Sequence, residues 1–349
     1  MGQGALVLRA RPLMTIQLRT RAIMKLRIAA ALLILAKVAS QGGTFLEDFT
    51  TDPSSRGWRV FGDSNLFAFN QAGKNLSVTW DSSRSNSYYY VLLGNILTRQ
   101  DDFSLALDLE LTDVTGGVNP NKRSTFELAL GFMNIVDGVK TNFFRGNSSY
   151  SPDLVEFDFF PDTGFGSTIW PSIWSTNSSL SYNGSSDYTI LPLPTGVVMR
   201  LIMSYVASNR TLTTSISTNG ISIGAINSVT LSSTFSDFRV NAFAFESYSD
   251  AGQDPRYGGS LLAHGRVDNV LLSIPPSPVQ SLTLTPVAQQ WQISFISRTN
   301  WLYTLERSTD LQSWVAASAV TSGNGTTISW PDTNALSNRA FYRVRAERP

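Results

Sequence analysis

The sequence predicts an all-β protein in two units, and three observations predict it. Apolar and polar residues alternate along many short segments, the pattern of strands whose successive side chains point to opposite faces. Turn clusters such as NGSSD and TNG separate those segments. A proline-rich run, SIPPSPVQS, divides the pattern into a long part and a short part. Many short strands punctuated in this way indicate a β-sandwich or barrel.

The chain begins with a different pattern. Residues 1–40 carry Arg9, Arg11, Arg19, Arg21, Lys25, Arg27 and Lys37 and no acid. Within them, MKLRIAAALLILAKVASQ has a basic start, an apolar run from Ile28 to Ala36, and small residues before Gln41. This predicts a secretory signal cleaved after Ser40, and so a secreted or cell-surface protein. The apolar run is shorter than the ~20 residues of a membrane span. A buried N-terminal helix is the alternative. Residues 1–23 are then an overlong leader, or Met24 rather than Met1 is the true start.

Strands follow in order. In DFSLALDLELTDV, Phe103, Leu105, Leu107, Leu109 and Leu111 share one face, and Asp108 and Glu110 share the other. In STFELALGFMN, Phe126, Leu128, Leu130 and Phe132 face the core, with Glu127 opposite. VVMRLIMSYV places Met199, Leu201, Met203 and Tyr205 inward and Arg200 outward. TLTTSIS, RVNAFAFES and GRVDNVLLSI are further strands. The predicted organisation is an N-terminal extension and signal over 1–40, a large β domain over 41–274, a linker over 275–281 and a small β domain over 282–349. In the small domain, RAFYRVRA turns Tyr342 and Val344 inward and Arg343 and Arg345 outward.

Composition excludes several functions. There are no cysteines, hence no disulfides, redox thiols or thiolate metal sites. A lack of cysteine in an exported chain points to a bacterial source. The single histidine, His264, argues against a zinc enzyme and is the one imidazole open to a Ser-His-Asp triad. Without its first 40 residues the chain holds 20 basic against 26 acidic residues. No basic stripe marks a nucleic-acid interface.

The segment DLVEFDFFPD, Asp153 to Asp162, carries the sharpest question. Its period sets Val155, Phe157 and Phe159 on one face and Glu156 and Asp158 on the other. Two close carboxylates repel unless a proton or a cation lies between them. Three uses are open: a solvated sheet face, a Ca²⁺ site, or catalysis. A polar face shared with Asp108, Glu110 and Glu127 would make one concave acidic surface, with Arg200 as counter-charge. Trp170 and Trp174 in GSTIWPSIWSTNSS are candidate sugar-stacking rings, as are Tyr88, Tyr89, Tyr90, Tyr248 and Tyr257. Asp250, Gln253 and Asp254 read as a polar turn.

Residues 44–275 resemble the concanavalin A-like lectin/glucanase jelly rolls. TFLEDFTTDPSSRGWRVFG is similar to the first strand and tryptophan of such modules, and GRVDNVLLSI to the closing strand that pairs beside it. VEFDFFPD resembles the metal-binding strand of legume-type lectins. It is also similar, more distantly, to the acidic signature of family 16 glycoside hydrolases. YTLERSTDLQSW and FYRVRA resemble a fibronectin type III-like module of secreted bacterial proteins.

The lectin resemblance implies Ca²⁺ held by Glu156, Asp158 and Asp162, with a carbonyl from Phe160. Ser167 and Ser172 stand where the family has its second aspartate and its histidine. Resemblance to the glucanases implies a second Ca²⁺ at Asp268 with Glu47 or Asp48. The hydrolase resemblance implies Glu156 and Asp158 as nucleophile and helper. Its proton donor is missing at Phe160 and Pro161, so Glu110 or Glu127 would have to serve. The expected function is a secreted, lectin-like protein binding a polysaccharide or glycan through Trp170, Trp174, Glu127 and Asp108, with Ca²⁺ as the candidate cofactor and a C-terminal spacer or attachment module. A jelly-roll glycoside hydrolase and a surface adhesion protein are the alternatives.

Overall fold

A computed structural model describes residues 8–10, 43–116, 125–143, 145, 153–175, 188–235, 237–251, 260–287, 290–333 and 340–349. The chain divides into two compact units. The larger is Gly42–Pro275; the smaller is Pro276–Pro349 together with the N-terminal segment. Among the described residues no helix is long and apolar enough to cross a membrane.

After β1 (Leu8–Ala10), the large unit begins with β2 (Thr44–Glu47), β3 (Arg59–Phe61), β4 (Phe67–Asn70), β5 (Asn75–Asp81), β6 (Ser87–Leu97) and β7 (Phe103–Gly116). It continues with β8 (Leu128–Met133), a single helical turn α1 (Ile135–Gly138), β9 (Leu154–Phe160), β10 (Thr168–Ile169), β11 (Ser172–Trp174) and β12 (Thr189–Ile190). Then come β13 (Val198–Val206), β14 (Thr211–Thr218), β15 (Ile221–Ser222), β16 (Val229–Thr230), β17 (Val240–Ser247) and β18 (Leu261–Ser273).

These strands form two antiparallel sheets of a jelly-roll sandwich. One runs β12-β10-β9-β8-β17-β6-β3, with β11 also on β9. The other runs β15-β14-β13-β7-β18-β5-β4, with β16 on β14 and β2 on β18. The first strand of the unit therefore pairs with its last, Glu47 lying opposite Val270. Leu105, Leu107 and Leu109 of β7 and Met199 and Leu201 of β13 meet Leu130, Phe132, Val155, Phe157, Phe243 and Phe245 of the facing sheet in one core.

A bulge keeps the closing strand in phase. Asp268 lies opposite Asp108 and Leu271 opposite Ala106, so β18 spends one residue more than β7 there. The extra residue, Asn269, has φ 50°, a left-handed conformation that asparagine tolerates better than most residues. Val267, Val270 and Leu272 are consequently all fully buried although their spacing breaks strict alternation.

Of the three uses left open for the acidic strand, the solvated face is overturned here. All six residues of β8 are buried, and so are Leu154 to Phe159 of β9. This sheet is covered on both sides, and its second face holds charged groups out of water.

The small unit has a sheet of β19 (Gln280–Val287), β20 (Gln290–Ile296) and β24 (Thr327–Asp332). Its second sheet orders β1, β25 (Ala340–Glu347), β21 (Leu302–Ser308) and β22 (Val315–Ala316), with β23 (Thr321–Ser322) on β21. Phe295 packs 5.0 Å from Tyr303 and 5.3 Å from Trp330 between ring centroids. Trp301, Tyr303, Leu305, Tyr342 and Val344 are buried, with Arg343 and Arg345 at most partly so. The remaining residues of the signal segment lie outside the described residues.

Candidate functional site

Strand register builds a polar cluster on the second face of the β9 sheet. Tyr88, Glu246, Ala129 and Asp158 stand in one row across β6, β17, β8 and β9. Tyr90, Ala244, Gly131, Glu156 and Ser172 stand in the next. Ala129 separates the two acids of the first row, and Gly131 and Ser172 flank Glu156 in the second. Gly131 has no room for a side chain, since a Cβ there would lie 2.3 Å from the Val155 carbonyl oxygen.

Arg145 lies among these acids. Its Nε is 3.0 Å from Glu127, and its Nη2 is 2.9 Å from Glu156 and 2.8 Å from Asp158. Arg145, Glu127, Glu156, Asp158, Glu246 and Tyr248 are each at most 4% exposed. The guanidinium also lies over Trp174, 5.2 Å from the ring centroid, and 5.8 Å from that of Tyr248. Ser172 Oγ donates to Asp158 at 2.7 Å, and the Tyr248 hydroxyl donates to Glu156.

Four carboxyl groups share this space with one guanidinium, and burial disfavours their charged forms. Burial raises Asp158 to about 7, against the pull of Arg145. Burial pushes Glu127 well above the usual carboxylate range, and Asp158 and Glu156 add to the rise. Glu246 is likewise raised by burial and then by the charge of the neighbouring Glu156. Burial works against the charge of Arg145, but Asp158, Glu127 and Glu156 together hold it firmly protonated.

A surface of rings continues from the cluster. Phe160 is the next residue after Asp158 on the same face of β9. Trp170 follows β10 and Tyr188 precedes β12, so the two edge strands carry them together. Trp170 and Tyr188 are 4.7 Å apart at their centroids, Phe160 is 6.4 Å from Trp170 and 6.0 Å from Tyr188, and Phe165 is 6.0 Å from Tyr188. Phe165 and Tyr188 are 59% and 39% exposed, whereas ordinary core rings of this unit are nearly inaccessible. Tyr188 is held above its ordinary value by burial and then by the charges of Glu127 and Asp158, with Arg145 opposing.

The structure unites some predicted site residues and separates others. Glu127, Glu156 and Asp158 come together. Asp108 does not join them: it lies on β7 in the other sheet, 3.0 Å from Arg200 and accepting from Asn269 at 2.7 Å. Glu110 lies there too, against Arg266. The single concave acidic surface is thus two separate groups.

The grouping of Asp162 with Glu156 and Asp158 is also corrected. Asp162 is exposed and accepts from the Gly164 backbone N–H at 2.8 Å, while Arg145 takes the space between the other two. Asp268, raised by burial and by Asp108, Asp48 and Glu47, lies on β18 of the other sheet. Glu47 accepts from Phe49 N, Arg56 Nε and Trp58 Nε1 at 2.8 to 2.9 Å, so its oxygens are already engaged. Among the described residues no three acid or histidine side chains are placed to hold a metal ion.

Trp174, a candidate sugar-stacking ring, is instead a buried strand residue with the Arg145 guanidinium over its ring. Tyr88 and Tyr248 border the cluster, while Tyr89 stacks on Trp58 in the core. His264 lies against Asp113 on the other sheet. Asp250 accepts from Ser82; Gln253, Asp254 and Tyr257 lie outside the described residues. Sequence reasoning missed Arg145, Glu246 and Tyr188, and took Phe160 for its carbonyl rather than its ring. Glu246 had a signal: a lone acid inside the apolar run of AFAFES. Arg145, in FFRGNSS, had none.

No protein-family model matches the chain, and no curated protein matches it. Among solved structures it is similar to an isoform of the Lotus tetragonolobus seed lectin, at 11% identity and TM-score 0.43, covering 67% of this chain and 98% of that one. It is also similar to lectin II from Ulex europaeus, at 13% identity and TM-score 0.39, covering 66% and 98%. An alginate lyase matches at 12% identity and TM-score 0.40, covering 66% and 97%. Likenesses of this size bear on neither the site nor the activity.

Proposed function

We propose that the large unit binds carbohydrate at the ring surface of Phe160, Trp170 and Tyr188. The observation that carries this reading is the set of partly exposed rings, in mutual contact, beside a buried polar cluster. A sugar ring presents apolar C–H faces and hydroxyl edges. Aromatic faces cover the first, and neighbouring polar groups meet the second. The Arg145 guanidinium ties Glu127, just before β8, to Glu156 and Asp158 of β9 and Ser172 of β11, and so holds the platform on a rigid scaffold. The binding reading needs no metal ion.

The test is retention of the purified protein by polysaccharides in affinity electrophoresis. Trp170→Ala and Tyr188→Ala are each expected to weaken retention by about tenfold, since one good ring contact is worth ~1.4 kcal/mol. The far-UV spectrum and thermal midpoint should stay near wild type. Unchanged retention in both variants would remove the platform as the site.

Glycan cleavage is the second reading. It is favoured by Glu246, a carboxyl group held protonated beside Glu156, since hydrolysis needs such a donor. Against it, a retaining pair needs ~5–5.5 Å between its carboxyl groups and an inverting pair more, and here the guanidinium of Arg145 fills the space beside Glu156. Release of reducing ends by wild type but not by Glu156→Gln would establish cleavage. We read the small unit as a fibronectin-like spacer, and residues 1–40 as an export signal. The mass of secreted protein tests the cleavage after Ser40.

A further inference from the structure

We infer that the ring surface selects neutral glycans and excludes polyuronates and other anionic polysaccharides. The inference rests on the carbohydrate-binding reading and adds the charge class of the ligand.

The first support is in the chain itself. From Gly146 to Met199, the stretch that carries all four rings, there is no lysine, arginine or histidine. The same stretch holds Asp153, Glu156, Asp158, Asp162 and Asp187. A protein that grips carboxylate or sulfate groups does so with cations, most effectively with the bidentate fork of arginine. This segment offers none.

The second support is what Arg145 already does. Its Nε faces Glu127, and its Nη2 lies between Glu156 and Asp158 with Ser172 Oγ 3.3 Å away. At 3% side-chain exposure it is committed to internal carboxylates. A ligand carboxylate at the rings would find this guanidinium already occupied by Glu127, Glu156 and Asp158. Taking a charged group partly out of water with no counter-charge to meet it opposes binding. A neutral sugar carries no such cost.

The test uses the full chain, one polysaccharide pair that differs in charge alone, and further charged and neutral polymers. Polygalacturonate is compared with its carboxyl-reduced form, and alginate with neutral β-glucan and xylan, in affinity electrophoresis at low salt. Retardation by at least one neutral polysaccharide is expected, with retardation by each polyuronate at least tenfold weaker. Carboxyl reduction should restore binding or leave it no weaker.

A polyuronate that retards the protein as strongly as the neutral polymers would overturn the charge inference and leave carbohydrate binding standing. Failure of every polymer, neutral ones included, would remove the binding reading and the inference with it. The variant Trp170→Ala fixes the location. If it keeps wild-type retention by the neutral polymer, the ligand lies elsewhere and the inference about this surface fails.

Discussion

Removing the guanidinium of Arg145 would leave Glu127, Glu156 and Asp158 buried around a space with no positive charge. Breaking a buried ion pair from one side costs ~3–5 kcal/mol, because the orphaned charge has lost its partner and stays away from water. Arg145→Met is therefore expected to destabilise the large unit by about that amount in urea unfolding. A loss below ~1 kcal/mol would show that the acids are already protonated without it. The same cluster sets a pH dependence. Asp158 keeps its proton to about 7 when folded and releases it near 3.8 in an unfolded chain. Between those values the folded state binds more protons, so stability falls as pH rises across that window. Glu127 and Glu246, also raised, act in the same direction. The thermal midpoint should be higher at about pH 5 than at about pH 8, and Asp158→Asn should flatten the slope. A midpoint that rises with pH in this range would contradict the buried placement.

At the scale of the element, β18 shows how one residue holds a register. Asn269 occupies the bulge with φ 50°, donates to Asp108, and brings Val270 and Leu272 back to the core side. A β-branched residue in a left-handed conformation carries a steric cost of ~1–2 kcal/mol, and the lost hydrogen bond adds ~1 kcal/mol. Asn269→Val should therefore destabilise by about 2–3 kcal/mol. Asn269→Gly keeps the conformation and should lose about 1 kcal/mol. Equal losses in the two variants would mean that the bulge is not strained. Strand β9 teaches the complementary lesson. Its alternation was read correctly, with Val155, Phe157 and Phe159 in the core, but alternation says only that two faces differ. It does not say that the polar face meets water.

For the whole molecule, each compact unit has its own buried core. Trp301 is 2% exposed within the small one. Truncating a buried tryptophan costs ~3–5 kcal/mol. In calorimetry, Trp301→Ala should shift or abolish one transition and leave the other where it was. A single transition that moves as a whole would show that the two units unfold as one. The pairing of β2 with β18 joins the ends of the large unit, which allows a fragment spanning Gly42–Pro275 to retain both sheets.

The sequence by itself determined the strand content, the inward residues of β7, β13 and β25, and the prolines that separate two β patterns. These are local properties: side-chain alternation and turn chemistry follow from covalent geometry within a few residues. The joining of GRVDNVLLSI to TFLE was legible through its resemblance to a jelly roll. Tertiary structure alone decided the fate of the acids. Glu156 and Asp108 stand in equally alternating strands. One is sealed beneath Arg145 and bonded to Tyr248, 92 residues away, while the other lies at the surface with Arg200. Which face is covered depends on contacts between distant segments, and no local period records them. The same holds for the rings: Trp170 and Trp174 are four residues apart, yet β11 buries the second and the edge of the sheet presents the first.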